Sequence, residues 1–158
     1  MERSSCRRGG GADWRWGGGG WCARARAGFR QRVVPGGGTG AGTHLNVRGR
    51  LGGVTLVEAR LETGLKNQIR VQFQAAGHPL MGDRHYAPAE KDERFLNRQA
   101  LHAWRLSFLH PRTGRMVGYE SPLTAELQLL VERLRLTTDG EPELSRHRRL
   151  VSFCKAVP

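Results

Sequence analysis

Cysteine is scarce in this sequence, and long apolar runs are missing from it. The three cysteines, Cys6, Cys22 and Cys154, match no zinc or redox spacing, so we expect free thiols in a reducing compartment. No apolar run approaches the roughly 18 residues that a transmembrane helix needs, which argues against an integral membrane protein. The basic N-terminus is followed by no apolar segment, so we do not expect a secretory signal.

Metal-binding patterns are missing as well. Six histidines are present, but none forms a His-Glu-x-x-His motif, and no pair lies on one predicted helical face. Surface and packing histidines explain this pattern better than metal ligands do. We therefore expect no metal site.

Acidic residues are rare in the first third of the chain. Residues 1–50 contain ten arginines against Glu2 and Asp13, which gives +8 of the formal net charge of +12, and residues 1–53 hold 16 of the 22 glycines. Such a segment buries too little apolar surface to offset its backbone entropy, so we predict that residues 1–53 are disordered. It could be an RNA-binding tail, an organellar transit peptide, or, the interpretation we favour, the product of a wrong frame or start codon.

From Val54 onward the sequence is typical of a globular domain. Residues 54–62 alternate between apolar and polar side chains, which predicts a strand. Ile69, Phe73 and Ala76 then recur at helical spacing before Gly77, which predicts a helix of about three turns with a glycine at its end.

The second half of this region predicts a hairpin and a second helix. Residues 101–120 alternate on either side of a turn at residues 110–114, which is typical of an antiparallel hairpin. Residues 125–136 carry an apolar stripe that we expect to face the core. The periodicity ends after Leu136, so we predict an irregular tail over residues 137–158.

Several motifs in residues 54–135 together resemble the RluA-type pseudouridine synthases. That family has a strand ending in Glu-Thr-Gly, a basic residue, His-Gln-Ile-Arg-Val, Gly-His-Pro and Gly-Asp-x-x-Tyr. The chain has Glu-Thr-Gly at 62–64, Asn-Gln-Ile-Arg-Val at 67–71, Gly-His-Pro at 77–79 and Gly-Asp-Arg-His-Tyr at 82–86. Leu-His-Ala, His-Pro-Arg-Thr-Gly and Ser-Pro-Leu follow in the family's order. The resemblance implies an α+β fold, a mixed and largely antiparallel sheet with flanking helices, of which residues 54–136 form the C-terminal part.

The resemblance also implies an activity and a partner. Such an enzyme detaches uracil from its ribose in tRNA or rRNA, rotates it and rejoins it through carbon, without cofactor or metal, on a nucleotide flipped out of its stack. Arg70 would pair with the family's catalytic aspartate, because a guanidinium fork keeps a carboxylate ionised and oriented. Gln68 would support this catalytic site, and Lys66 and Asn67 would bind RNA.

The chain departs from the family pattern in two ways. Leu65 and Asn67 stand where the family usually has arginine and histidine. More importantly, none of the four aspartates lies in the Arg-Leu-Asp motif that carries the catalytic aspartate. We therefore predict a truncated catalytic domain, inactive alone and poorly stable, in which Arg70 is an uncompensated charge and a sheet edge is open.

Two further interpretations remain, a non-catalytic RNA-binding protein with a basic Gly/Arg tail and a truncated gene-model product. The absence of targeting signals makes the cytoplasm the default compartment, with an organelle as the alternative.

Overall fold

The computed structural model describes residues 6–8, 13–16, 20–22, 32–34, 39–51, 53–87, 96–138 and 149–156. The elements in these ranges are, in chain order, β1 (Cys6–Arg8), β2 (Asp13–Trp16), β3 (Gly20–Cys22), β4 (Arg32–Val34), β5 (Thr39–Gly40), β6 (Thr43–Leu51), β7 (Val54–Leu61), α1 (Gln68–Ala75), β8 (Leu101–Leu109), β9 (Met116–Glu120), α2 (Ala125–Thr138) and β10 (Arg149–Ala156). One sheet has the strand order β1-β2-β6-β7-β10-β8-β9, and a second sheet has the order β4-β3-β5.

Strand β7 lies at the centre of the core because both of its faces are covered. Val57 and Ala59 pack with Ile69 and Phe73 of α1, while Val54 belongs to the cluster that includes the apolar side of α2. Alternation along one strand thus supplies two cores, one for each helix. The strand predicted from the sequence is confirmed.

Helix α1 is shorter than expected but ends where the sequence indicates. It spans eight residues, Gln68–Ala75, and Gly77 follows with φ +80°. The backbone N–H of His78 donates to the carbonyl of Phe73 at 2.9 Å, which satisfies one of the carbonyls left at the helix end. A left-handed glycine at this position stops a helix without steric cost.

The predicted hairpin and second helix are also confirmed. Strands β8 and β9 pair antiparallel from Arg105 with Glu120 to Leu109 with Met116. On α2 the apolar stripe predicted to face the core does so, with its members Leu127, Leu130, Val131 and Leu134 buried in or packed against the α2 core. Neither helix in the described ranges has the length and apolar character needed to cross a membrane.

The prediction of disorder over residues 1–53 is wrong where the structure describes that range. Strand β6 pairs antiparallel with β7 from Thr43 opposite Leu61 to Leu51 opposite Val54, with a register shift between Val47 and Gly49. Leu45 and Val47 pack against the α1 core, so this part of the segment has the apolar alternation that a strand needs. Strands β1–β5 lie in the same range. The remaining residues of the segment lie outside the described ranges.

The irregular tail predicted for residues 137–158 is not found where the structure describes that range, and the sheet is not open beside β7, although β1 and β9 form its two edges. Helix α2 continues to Thr138, and β10 lies between β7 and β8, parallel to both. Strand β7 therefore has a partner on each side. Four of the six pairs in the large sheet are antiparallel and two are parallel, which agrees with a mixed, largely antiparallel α+β sheet.

Candidate active site around Arg70

Arg70 lies where the chain leaves the end of β7 and enters α1. Asn67, directly before the helix, has φ 58° and ψ 21°, a left-handed conformation that asparagine tolerates better than most residues. Because Ile69 and Val71 on either side are buried, Arg70 is held at the border of the core. Its side chain keeps 18% of its surface exposed.

A buried carboxylate holds this arginine. Nε of Arg70 donates to Oδ2 of Asp83 at 2.8 Å, and Nη2 donates to Oδ1 at 2.8 Å. The Asp83 side chain is 1% exposed. Two parallel bonds between a guanidinium and a carboxylate fix the plane of both groups and are stronger than bonds between neutral groups.

The turn after α1 adds two more bonds to the same carboxylate. The backbone N–H groups of His85 and Tyr86 donate to Oδ1 of Asp83 at 3.0 and 3.1 Å. Burial disfavours the charged form of Asp83, but the hydrogen bonds from Arg70 and from these backbone groups outweigh burial and lower the pKa of Asp83. Arg70 responds in the opposite sense: chiefly because of its bond to Asp83, its pKa is raised. The pair is therefore ionised at neutral pH.

Asn67 and Tyr86 complete the surroundings of the guanidinium. Nη1 of Arg70 donates to Oδ1 of Asn67 at 3.2 Å, and Nδ2 of Asn67 donates to the hydroxyl of Tyr86 at 3.3 Å. The Cζ atom of Arg70 lies 4.9 Å from the centroid of the Tyr86 ring, within cation-π range. Arg70, Asp83, Asn67 and Tyr86 are called the Arg70 cluster below.

Two N–H groups of Arg70 have no partner among the described residues. A guanidinium has five N–H groups, and Nε, Nη1 and Nη2 each use one in the bonds above. One N–H therefore remains on each Nη atom. With part of the side chain exposed, this end of the fork can bind a second anionic group.

Gln68 lies in a separate buried network that anchors the start of α1. Its Nε2 donates to the carbonyl of Gly42 and to Oγ1 of Thr43, both at 2.9 Å. Its Oε1 accepts from the hydroxyl of Thr63 at 2.8 Å and from the backbone N–H of Leu65 at 3.1 Å. Gln68 is 2% exposed, so its polar atoms act within the protein.

A second glutamine extends this network to the next helical turn. The Thr43 hydroxyl donates to Oε1 of Gln72 at 2.7 Å, and Nε2 of Gln72 donates to the carbonyl of Ala41 at 3.3 Å. Thr43 and Gln72 are 1% and 2% exposed. Because the bonds of Ala41, Gly42 and Thr43 to the two glutamines join the start of β6 to α1, the network fixes the helix that carries Arg70.

The chain is similar to several curated RNA pseudouridine synthases. The uncharacterized RNA pseudouridine synthase YlyB of Bacillus subtilis is 47% identical over 98 residues, which cover 62% of this chain and 32% of the relative. The ribosomal large subunit pseudouridine synthase D of Neisseria meningitidis is 38% identical over 126 residues, which cover 74% of this chain and 34% of the relative. No protein-family model matches the chain.

The matched part of this chain is thus similar in sequence to RNA pseudouridine synthases. The resemblance to the RluA type that the motifs indicate is thereby confirmed. The chain spans about a third of the length of the curated relatives it matches.

One expectation about the candidate site is wrong. Arg70 was expected to be an uncompensated charge whose carboxylate partner is missing, yet Asp83 neutralises it. Asp83 also shapes the turn after α1, because its carboxylate accepts the backbone N–H groups of His85 and Tyr86. The sequence contained a signal for the pair, since both residues belong to motifs of one family block. Their contact could not be predicted, however, because they are 13 residues apart and meet only through the turn after α1.

For the other predicted site residues, the structure gives positions but does not test their roles. Asn67 and Arg70 are in contact, Gln68 lies in the buried network, and Lys66 is exposed at the helix start. The RNA-binding roles of Lys66 and Asn67 remain predictions.

Sequence reasoning missed Thr43 and Gln72, because their role depends on the pairing of β6 with β7. Among the described residues no group of three or more His, Cys, Asp or Glu side chains could hold a metal ion.

Proposed function

We propose that the chain acts as part of an RluA-type pseudouridine synthase that converts uridine to pseudouridine in RNA. In this proposal Arg70 orients the carboxylate of a catalytic aspartate that residues 54–136 do not supply. The similarity to curated pseudouridine synthases supports the reaction class. The two unused N–H groups of Arg70, held at the border of the core, support its role.

The carboxylate already present does not fit the role of the reacting group. Both oxygens of Asp83 accept hydrogen bonds, and the side chain is almost fully buried. A group that attacks or deprotonates the nucleotide must reach it. We therefore assign Asp83 to the orientation of Arg70, which in turn orients the reacting aspartate.

The proposed reaction rearranges the nucleotide without changing its formula. The bond between N1 of uracil and C1′ of ribose breaks, and a bond between C5 and C1′ forms after the ring rotates. The hydrogen of C5 leaves to solvent, while N1 gains a proton. Arg70 contributes by keeping the aspartate ionised and in one orientation through paired, charge-assisted bonds. This chemistry uses no cofactor.

The RNA partner is proposed from the relatives' names. One relative is named for the large ribosomal subunit, so ribosomal RNA is the first substrate to test, with tRNA as the comparison. We propose the cytoplasm as the place of action.

A chimera tests the proposal. The aligned segment of the Neisseria meningitidis ribosomal large subunit pseudouridine synthase D is replaced by that of this chain, and tritium release is measured on ribosomal RNA labelled at C5 of uridine. We expect release by the chimera, a strong loss with Arg70→Met, and no release by the chain alone. A stable chimera that releases tritium equally well with Arg70→Met would contradict the role of Arg70, and release by the chain alone would contradict the need for a second aspartate.

One observation favours a non-catalytic alternative, in which the chain only binds RNA. Because Asp83 neutralises the charge of Arg70, the Arg70 cluster is already electrically balanced without a further carboxylate. In that case the chain alone should bind RNA with a steep salt dependence. Full-length variants with Arg24, Arg26 and Arg30 changed to glutamine would show whether the basic segment carries the binding.

A further inference from the structure

The hairpin formed by β8 and β9 carries exposed apolar side chains. Leu106 and Tyr119 lie opposite each other in the register, as do Phe108 and Val117. Tyr119 is 61% exposed and Leu106 is 43% exposed. We call these four residues the hairpin platform.

Two aromatic rings of the hairpin platform are already arranged as a stack. The Phe108 and Tyr119 rings have centroids 6.1 Å apart and an interplanar angle of 23°. Phe108 is partly buried and supports the ring of Tyr119, whose surface is mostly open. An exposed, pre-oriented aromatic ring is the feature on which unpaired bases stack.

The charge around the hairpin platform is positive. Residues 101–119 contain three arginines and no acid. Arg105 is paired with Glu120, whereas Arg112 and Arg115, in the turn between the strands, are exposed and form no ion pair with a described residue. These two guanidinium groups are placed to contact phosphates beside a stacked base.

The sheet register brings the hairpin platform to the same face and end of the sheet as the Arg70 cluster. The pairing of β10 with β8 skips Trp104, a bulge that shifts the face on which the following residues lie. After the bulge, Ala156 of β10 lies opposite Leu61 at the end of β7 on one side and opposite Leu106 of β8 on the other. Leu61 packs on the α1 side, and β8 lies two strand spacings, roughly 10 Å, from β7.

We propose that the hairpin platform binds unpaired bases of the RNA substrate, with Tyr119 as the stacking surface and Arg112 and Arg115 as phosphate contacts. This inference rests on the proposed function, because the nucleotides at the platform are those next to the uridine at the Arg70 cluster. The exposed ring, the positive turn and the shared sheet end favour RNA over an apolar protein partner.

The test measures binding of a fluorescein-labelled single-stranded oligouridylate to the full chain in roughly 0.2 M salt, where weak non-specific contacts are reduced. We expect Tyr119→Ala to weaken binding about 5- to 100-fold, while Tyr119→Phe retains it and Tyr119→Leu does not restore it. Arg112→Gln and Arg115→Gln should each lower the slope of log affinity against log salt by about 0.7. The matched controls are Leu129→Ala, an exposed leucine of α2, and Arg60→Gln, an exposed arginine of β7.

Several results would overturn the proposal. Equal binding by Tyr119→Ala and the unchanged chain would refute the role of the hairpin platform in RNA binding. Full binding by Tyr119→Leu would show that the contact is apolar and does not depend on stacking. A change of sedimentation with Tyr119→Ala would mean that a second copy of the chain occupies this face. In the chimera, an active enzyme whose KM for RNA ignores Tyr119→Ala would refute the platform alone. If Tyr119→Ala weakens RNA binding by the chain but the chimera is inactive, the platform is supported and only the proposed catalysis is refuted.

Discussion

Replacing Asp83 with asparagine tests the energetic role of the buried ion pair. The asparagine oxygen can keep the three bonds made to Oδ1, but its amide nitrogen would face the Nε–H of Arg70, donor against donor. The variant loses one charge-assisted bond, which contributes about 1.5–3 kcal/mol, and the neutralising charge. Breaking a buried pair costs about 3–5 kcal/mol, and the partial exposure of Arg70 places the expected loss near the lower end, about 3 kcal/mol.

Urea unfolding of the full chain, followed by circular dichroism, measures this loss and its pH dependence. The folded-state pKa of Asp83 is lowered, so the pair stabilises the protein above the unfolded pKa of about 3.9 and the stabilisation disappears as the pH falls through the folded pKa. The difference between the two proteins should therefore be complete at pH 7 and shrink below about pH 4. Glu58→Gln is the control, because Glu58 pairs with the largely exposed Arg48 and should contribute less than about 1 kcal/mol. A cost of Asp83→Asn under about 0.5 kcal/mol, or one unchanged at acid pH, would refute the reasoning.

Three further changes have defined outcomes. In the chimera, Arg70→Lys should lower kcat about 10- to 100-fold in tritium release, because an ammonium cannot replace the fork; a kcat near that of the parent chimera would argue against bidentate orientation. Thr43→Val should lower the free energy of unfolding in urea by about 1–3 kcal/mol, because it leaves a buried amide oxygen without its donor, whereas Thr43→Ser should retain most of it. Gly82→Ala should lower the melting temperature more than Gly114→Ala. Both glycines have positive φ, but an added Cβ at Gly82 would lie 2.3 Å from the carbonyl oxygen of Arg98, while nothing lies within 4 Å of one at Gly114. Equal melting temperatures would contradict this contact.

The elements that the sequence predicted correctly are those with clear local periodicity. Alternation in residues 54–62 and 101–120 and the apolar spacing of α1 and α2 depend on neighbours close in sequence, so they can be read from one chain. The motif block likewise located Arg70, which the structure places in a cluster with Asp83 and Tyr86.

The features that the sequence did not predict depend on contacts between distant residues. Strand β6 contains Gly49 and follows a glycine-rich stretch, so its composition suggested disorder, yet its pairing with β7 supplies the missing burial. The carboxylate of Asp83 reaches Arg70 only because Gly82 allows the turn, with φ +71°. The burial of the Gln68 and Gln72 amides was not predicted, because it depends on β6, which provides Thr43 as their partner.

The position of β10 in the large sheet affects how the protein is made. This strand is far along the chain, but it occupies the space between β7 and β8 and hydrogen-bonds to both. During synthesis the strands on the β7 side and those on the β8 side therefore cannot join until residues 149–156 have been made. Until then each half of the sheet presents unpaired backbone groups to other chains. Nascent chains stalled before residue 149 should accordingly be the form most prone to aggregate.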